Sequence, residues 1–169
     1  MPYDNTSQLW PNYTPRHYFR DLNLEHRRQT GPTCVPTCLS LLTGMEPAFI
    51  QREINTQSPI SWSDYLMTSG YQLAYCNTDL RRLQHYVDEL IYLDDFFLIS
   101  TYSATDSADI GREPDENGWI ISSHIALLHR DMVYDSLLGG PVDIRDYTRN
   151  SHFVKRIFRV VPLNFARSL

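Results

Sequence analysis

The chain changes character once, near residue 95. Upstream, apolar residues recur at helical spacing. Downstream, from the run FFLISTY at 96–102, they come in continuous or alternating stretches rich in β-formers. Helices first and strands afterwards is the order of an α+β fold, with helices packed on an antiparallel sheet. It excludes the alternating strand–helix order of a doubly wound parallel sheet.

The spacing predicts a helix over 34–42, opened by Thr33 as N-cap and stopped by Gly44. Pro36 falls in its first turn, where proline is tolerated. Further helices are expected over 46–55 and 63–69, and a strand or extended link over 71–76. Thr78 is expected to cap a helix over 79–90, with Leu80, Leu83, Val87 and Leu90 on one face. The second half reads as strands over 96–102, 119–128, 132–137 and 152–162. A turn falls at 129–131, and loops at 104–118 and 139–151. The loop at 104–118 is acidic and longer than most connections, a length often associated with function. Residues 1–25 are polar, aromatic and dotted with proline, and read as an arm packed on a single domain of 169 residues.

Composition narrows the function classes. The net charge is −5 and the basic residues are scattered among acids, with no clustered basic stripe of the kind that binds nucleic acid. No stretch reaches the roughly 20 apolar residues that cross a bilayer, and the start has neither the basic nor the apolar part of a signal peptide. The sequence therefore predicts a cytoplasmic protein with no membrane or nucleic-acid partner. Three cysteines, Cys34, Cys38 and Cys76, make an odd count, which argues against a disulfide framework. The Cys34/Cys38 pair has no second pair to complete a zinc site, and nothing calls for a metal or an organic cofactor.

Cys34 carries the chemistry. A thiol at a helix start meets unpaired backbone N–H groups and the positive end of the macrodipole, which favour the thiolate. The plainer reading is a small buried hydrophobe. Gln29, five residues upstream in a loop that turns back over the helix start, can present an amide to an oxyanion, with the Cys34 N–H as second donor. A base and an orienter are then needed. If the strands around residue 129 pair across a turn centred between His129 and Arg130, His124 and Asp135 stand directly opposite. Their Cβ atoms are then about 5 Å apart on one face. A carboxylate there fixes the imidazole tautomer, as in Ser–His–Asp triads. Cys38, one helical turn after Cys34, reads as core, with a resolving thiol or the true nucleophile as the alternative.

Gln29, the turn Thr-Gly-Pro-Thr, Cys34 and the helix VPTCLSLLTG resemble the nucleophile segment of papain-like cysteine peptidases. The similarity is greatest to the C39-like branch that includes bacteriocin-processing leader peptidases. The segment HIALLHRDMVYDS resembles that family's His strand, turn and Asp strand. Where the family usually has Gly after the nucleophile this chain has Val35, and where Pro often follows the Asp it has Ser136. The resemblance implies a papain-like fold, with Cys34 as nucleophile, His124 as base, Asp135 as orienter and Gln29 as oxyanion donor. It also implies a cysteine peptidase acting on a peptide or isopeptide bond of a peptide or protein substrate. An acyltransferase or amidase with the same triad, and a lapsed papain-like binding module, remain open. The acidic loop 104–118 is expected to cover or select substrate, which would suit basic or Gly-rich peptides.

Overall fold

The computed structural model describes residues 9–10, 17–103 and 123–165. Its first element, α1 (Cys34–Thr43), has Gly44 as its stop at φ 73°, with the Gly44 N–H bonded to the Ser40 carbonyl. Helices α2 (Pro47–Glu53) and α3 (Pro59–Met67) follow, each with proline at its start. Then come β1 (Tyr71–Tyr75), a short 3₁₀ turn at Leu83–Tyr86 that runs into α4 (Val87–Leu93), and β2 (Phe96–Tyr102). The remaining strands are β3 (Ser123–His129), β4 (Met132–Tyr134), β5 (Val142–Asp143) and β6 (Val154–Pro162).

Among the described residues these strands form one antiparallel sheet in the order β1-β6-β2-β3-β4-β5. The architecture is α+β, as the order of patterns predicts. Both faces of the sheet are covered, so the central strands are apolar on both sides. Phe96 and Leu98 of β2, with Ile125 and Leu127 of β3, pack under α1 and α3 against Leu39, Trp62 and Leu66. Phe97, Ile99, Ala126 and Leu128 turn to the other face and meet α4 through Val87, Leu90 and Leu93. This two-sided burial explains why FFLIS is continuous rather than alternating.

The arm expected over the first 25 residues is described at 9–10 and 17–25, and it is tied to the sheet by buried charge. Asp95 accepts the backbone N–H groups of Tyr18 and Phe19, both at 2.9 Å. It also pairs with Arg159 of β6 at 2.8 Å, both side chains fully buried. The Arg159 guanidinium lies over the rings of Trp10 and Tyr18. Further on, His129 Nε2 donates to the Arg20 carbonyl and His26 Nε2 to that of Leu138, so the arm runs along β3 and β4 toward Gln29.

Four local expectations change. The helix expected over 79–90 begins later: Arg82 instead bridges to Phe153 beside β6, and the Tyr86 hydroxyl bonds the Asp79 carboxylate. Leu80, counted on the helical face, is exposed. The third helix starts at Pro59 rather than at 63, because the proline sets its first turn. The 132–137 strand pairs only over Met132–Tyr134, and the turn centres on Arg130–Asp131, with Arg130 at φ 61°. The 139–151 loop holds β5 and two short 3₁₀ turns, Ile144–Asp146 and Thr148–Ser151. The 104–118 loop lies outside the described residues. Among the described residues no helix is long and apolar enough to cross a membrane.

Candidate active site

Gly31, at φ 69°, reverses the chain between Gln29 and the start of α1, and the Thr33 N–H closes this turn on the Gly31 carbonyl at 2.9 Å. Thr33 does not cap the helix with its side chain as expected. Its hydroxyl donates to the Thr30 carbonyl at 3.0 Å and so stiffens the turn instead. Cys34 therefore opens the helix at the edge of a cleft, half-buried, while Cys38 one turn further is buried in the core.

His124 sits near the start of β3, opposite Thr101 of β2, with 8% of its surface exposed. Its Nε2 lies 2.6 Å from Asp135 Oδ1. His124 and Cys34 also interact, each shifting the other's ionisation toward the charged form. Asp135 is 2% exposed. The structure thus brings Cys34, His124 and Asp135 into one chain of contacts.

The geometry reaches this result by a different register from the one expected. The observed pairs Leu127 with Tyr134 and His129 with Met132 would set Asp135 opposite Ala126, two residues from His124. A two-residue shift keeps side chains on the same face, whereas a one-residue shift would have separated them. The pair is diagonal, and such neighbours remain within reach of long side chains.

The charges support one another. Burial works against the Cys34 thiolate, but hydrogen bonds from His124 and from the N–H groups of Ile125 and Val35 outweigh it and lower the thiol below its ordinary value. Burial also works against the imidazolium, yet Asp135 and Cys34 together raise His124 to about 8. Asp135 is opposed by burial and held below the usual carboxylate range by His124, Tyr147 and the Leu137 N–H. Burial pushes the Cys38 thiol well up, so it does not compete as a nucleophile.

Gln29 is held by its neighbours on both sides. Its N–H donates to the Ser136 carbonyl at 2.9 Å, and the Ser136 hydroxyl donates to its Oε1 at 2.6 Å. Its Nε2 donates one hydrogen to the Gly31 carbonyl at 2.8 Å, leaving the second hydrogen for another acceptor. Gln29, Cys34 and His124 all line one cleft of about 360 Å³ between α1, α3 and the sheet. Among the described residues no three His, Cys, Asp or Glu side chains converge as metal ligands would.

Two participants were not foreseen. Ser136 follows Asp135 and links it to Gln29; its place beside a candidate site residue was the available signal. Tyr147 donates to Asp135 Oδ2 from a segment read as plain loop, and no sequence period points to it. Compared with known proteins, the chain matches no family model and no curated sequence.

Proposed function

We propose that the protein is a papain-like thiol hydrolase that cleaves a peptide or isopeptide bond through a thioester acyl-enzyme. The observation that carries this reading is the His124 ring, bonded through Nε2 to buried Asp135 at 2.6 Å and sharing one cleft with Cys34, whose thiol it lowers. That is the arrangement of a nucleophile, a base and the group that fixes the base's tautomer. The setting of a cysteine at a helix start, facing a histidine on an antiparallel sheet, agrees with the same reading.

In the proposed cycle the Cys34 thiolate attacks the carbonyl carbon and the C–S bond forms. The carbonyl π electrons move to oxygen, which is stabilised by the Cys34 N–H and the free Nε2 hydrogen of Gln29. The C–N bond then breaks as the His124 imidazolium gives its proton to the leaving amine. Water, deprotonated by His124, attacks the thioester, and the carboxylic acid leaves as the C–S bond breaks, returning the Cys34 thiolate beside the His124 imidazolium.

The test is the pH dependence of iodoacetamide alkylation at each cysteine, located by mass spectrometry, in the wild type and in His124→Ala. Cys34 is expected to react well below the ordinary thiol range of about 8.5, ahead of Cys38 and Cys76. The His124→Ala change should move its profile to higher pH. A Cys34 that reacts no faster than the other two, or a profile indifferent to His124, would overturn the reading.

A further inference from the structure

The wall of the cleft beside Cys34 carries three cations, Arg149, Lys155 and Arg156, and among the described residues no acidic one lines it. Two of them are sequence neighbours on β6. In a regular strand adjacent residues face opposite sides, so only one could reach the cleft. The β2–β6 ladder is irregular at this point. Ser100 pairs with Arg156 while Thr101 pairs with Val154, leaving Lys155 as an extra, bulged residue. The bulge re-aims the strand so that both cations line one wall, a use to which bulges near sites are commonly put.

Among the described residues none of the three has an acidic partner. Lys155 makes only a long contact to Ser123 Oγ at 3.4 Å and lies over the Tyr102 ring at 5.9 Å. Arg149 buries its Nη1 without a hydrogen bond. Elsewhere in the described residues several arginines find carboxylates: Arg20 and Arg130 pair with Asp94, Arg81 with Asp79 and Arg145 with Asp143. In a chain with a net charge of −5, three cations on one cleft wall with no acid among the described lining residues are a local reversal of sign. Burial and Arg156 both work against the Lys155 ammonium, as expected of like charges held together without an anion. A cleft lined by one sign focuses its field on whatever enters it.

We propose that Arg149, Lys155 and Arg156 form a carboxylate-recognition subsite beside Cys34, so that the substrate is a peptide bearing a carboxylate close to the bond attacked. The catalytic half of this statement rests on the thiol-hydrolase reading; the anion subsite does not. An acidic side chain and a free C-terminal carboxylate share the required chemistry.

The test reads the subsite and the catalysis separately. First, Cys34 alkylation is measured with iodoacetate and with iodoacetamide, and the ratio of rates is compared with that of a cysteine-containing model peptide. The ratio cancels changes in thiolate population. It is expected to exceed the model ratio by about threefold or more at low salt, and to fall toward it at high salt. It should also fall in Arg149→Gln, Lys155→Gln and Arg156→Gln, each checked for folding by circular dichroism. A ratio equal to the model's, or a raised ratio that none of the three variants lowers, would overturn the subsite. Second, cleavage of a mixed peptide library is profiled. Cuts enriched next to Asp or Glu would name the side chain as the anion; cuts near free C-termini, lost on amidation, would name the terminus. Cuts indifferent to both would overturn the substrate assignment while leaving the hydrolase standing. A raised, variant-sensitive ratio with no cleavage would do the reverse.

Discussion

Tyr147 donates its phenolic hydrogen to Oδ2 of Asp135 at 2.5 Å, the oxygen that His124 leaves free. The carboxylate is thereby engaged on both oxygens, since Oδ1 also accepts the Leu137 N–H at 2.8 Å. Burial and the neighbouring carboxylate push the Tyr147 phenol far above its ordinary value, so it remains a donor at any working pH. Tyr147→Phe would leave a buried acceptor short of a partner, which costs about 1–3 kcal/mol. A chain of this size should then melt roughly 2–12 °C lower. With less of its charge shared, Asp135 should hold the imidazolium more tightly. The His124 limb of the Cys34 alkylation profile is therefore expected to move to higher pH. A thermal scan and the alkylation profile together check both effects.

The raised value of His124 makes stability depend on pH with a definite sign. An imidazole that ionises at about 8 in the fold and at 6.5 in the unfolded chain stabilises the fold most fully below 6.5. That contribution is lost as pH rises through about 8. The gap corresponds to at most about 2 kcal/mol, reduced where Cys34 titrates in concert. Denaturant unfolding of wild type and His124→Asn at pH 6, 7.5 and 9 should show the wild-type advantage shrinking across that range. An advantage that grew with pH would mean that the imidazole is held neutral.

The sequence made some of this legible and not the rest, for physical reasons. Strand β2 was read at its observed bounds because a strand buried on both faces has no competing period. The stop of α1 was legible because Gly44 takes a left-handed conformation that other residues disfavour. The segment at 79–82 was misread because helical spacing of Leu80 and Leu83 arises equally in a chain that crosses to pair with Phe153. The Cys34, His124 and Asp135 contacts were reached despite a misplaced turn, since an even register shift preserves the face. Tyr147, Arg149 and the bulged Lys155 were out of reach. Their positions depend on how a loop and a ladder irregularity fold back to the cleft, which no local pattern encodes.

Asp95 and Arg159 test how the arm is held. Truncating one partner of a buried ion pair strands the other charge, a loss of about 3–5 kcal/mol. Asp95→Ala removes the acceptor for the Arg159 guanidinium and for the Tyr18 and Phe19 N–H groups together. It should lower the melting temperature by roughly 6–20 °C. It should also speed hydrogen exchange at those two amides beyond the change seen in the β2 ladder. Equal acceleration in both places would mean that the arm has no separate dependence on Asp95.

Gln29 and Ser136 separate nucleophile activation from oxyanion stabilisation. Neither is among the groups that shift the Cys34 thiol, so replacing either should leave the alkylation profile of Cys34 in place. Turnover should respond differently. Under the hydrolase reading, Gln29→Ala removes one of two oxyanion donors, an effect of about 100- to 1,000-fold on kcat. Ser136→Ala leaves the amide present but frees its Oε1 end, which the Ser136 hydroxyl holds at 2.6 Å. A smaller loss is expected there, because the remaining bond from Nε2 to the Gly31 carbonyl still restrains the amide. Steady-state kinetics on any peptide cut by the wild type would rank the two variants. A Gln29→Ala enzyme with unaltered kcat would remove Gln29 from the mechanism while leaving the Cys34–His124–Asp135 chain of contacts intact.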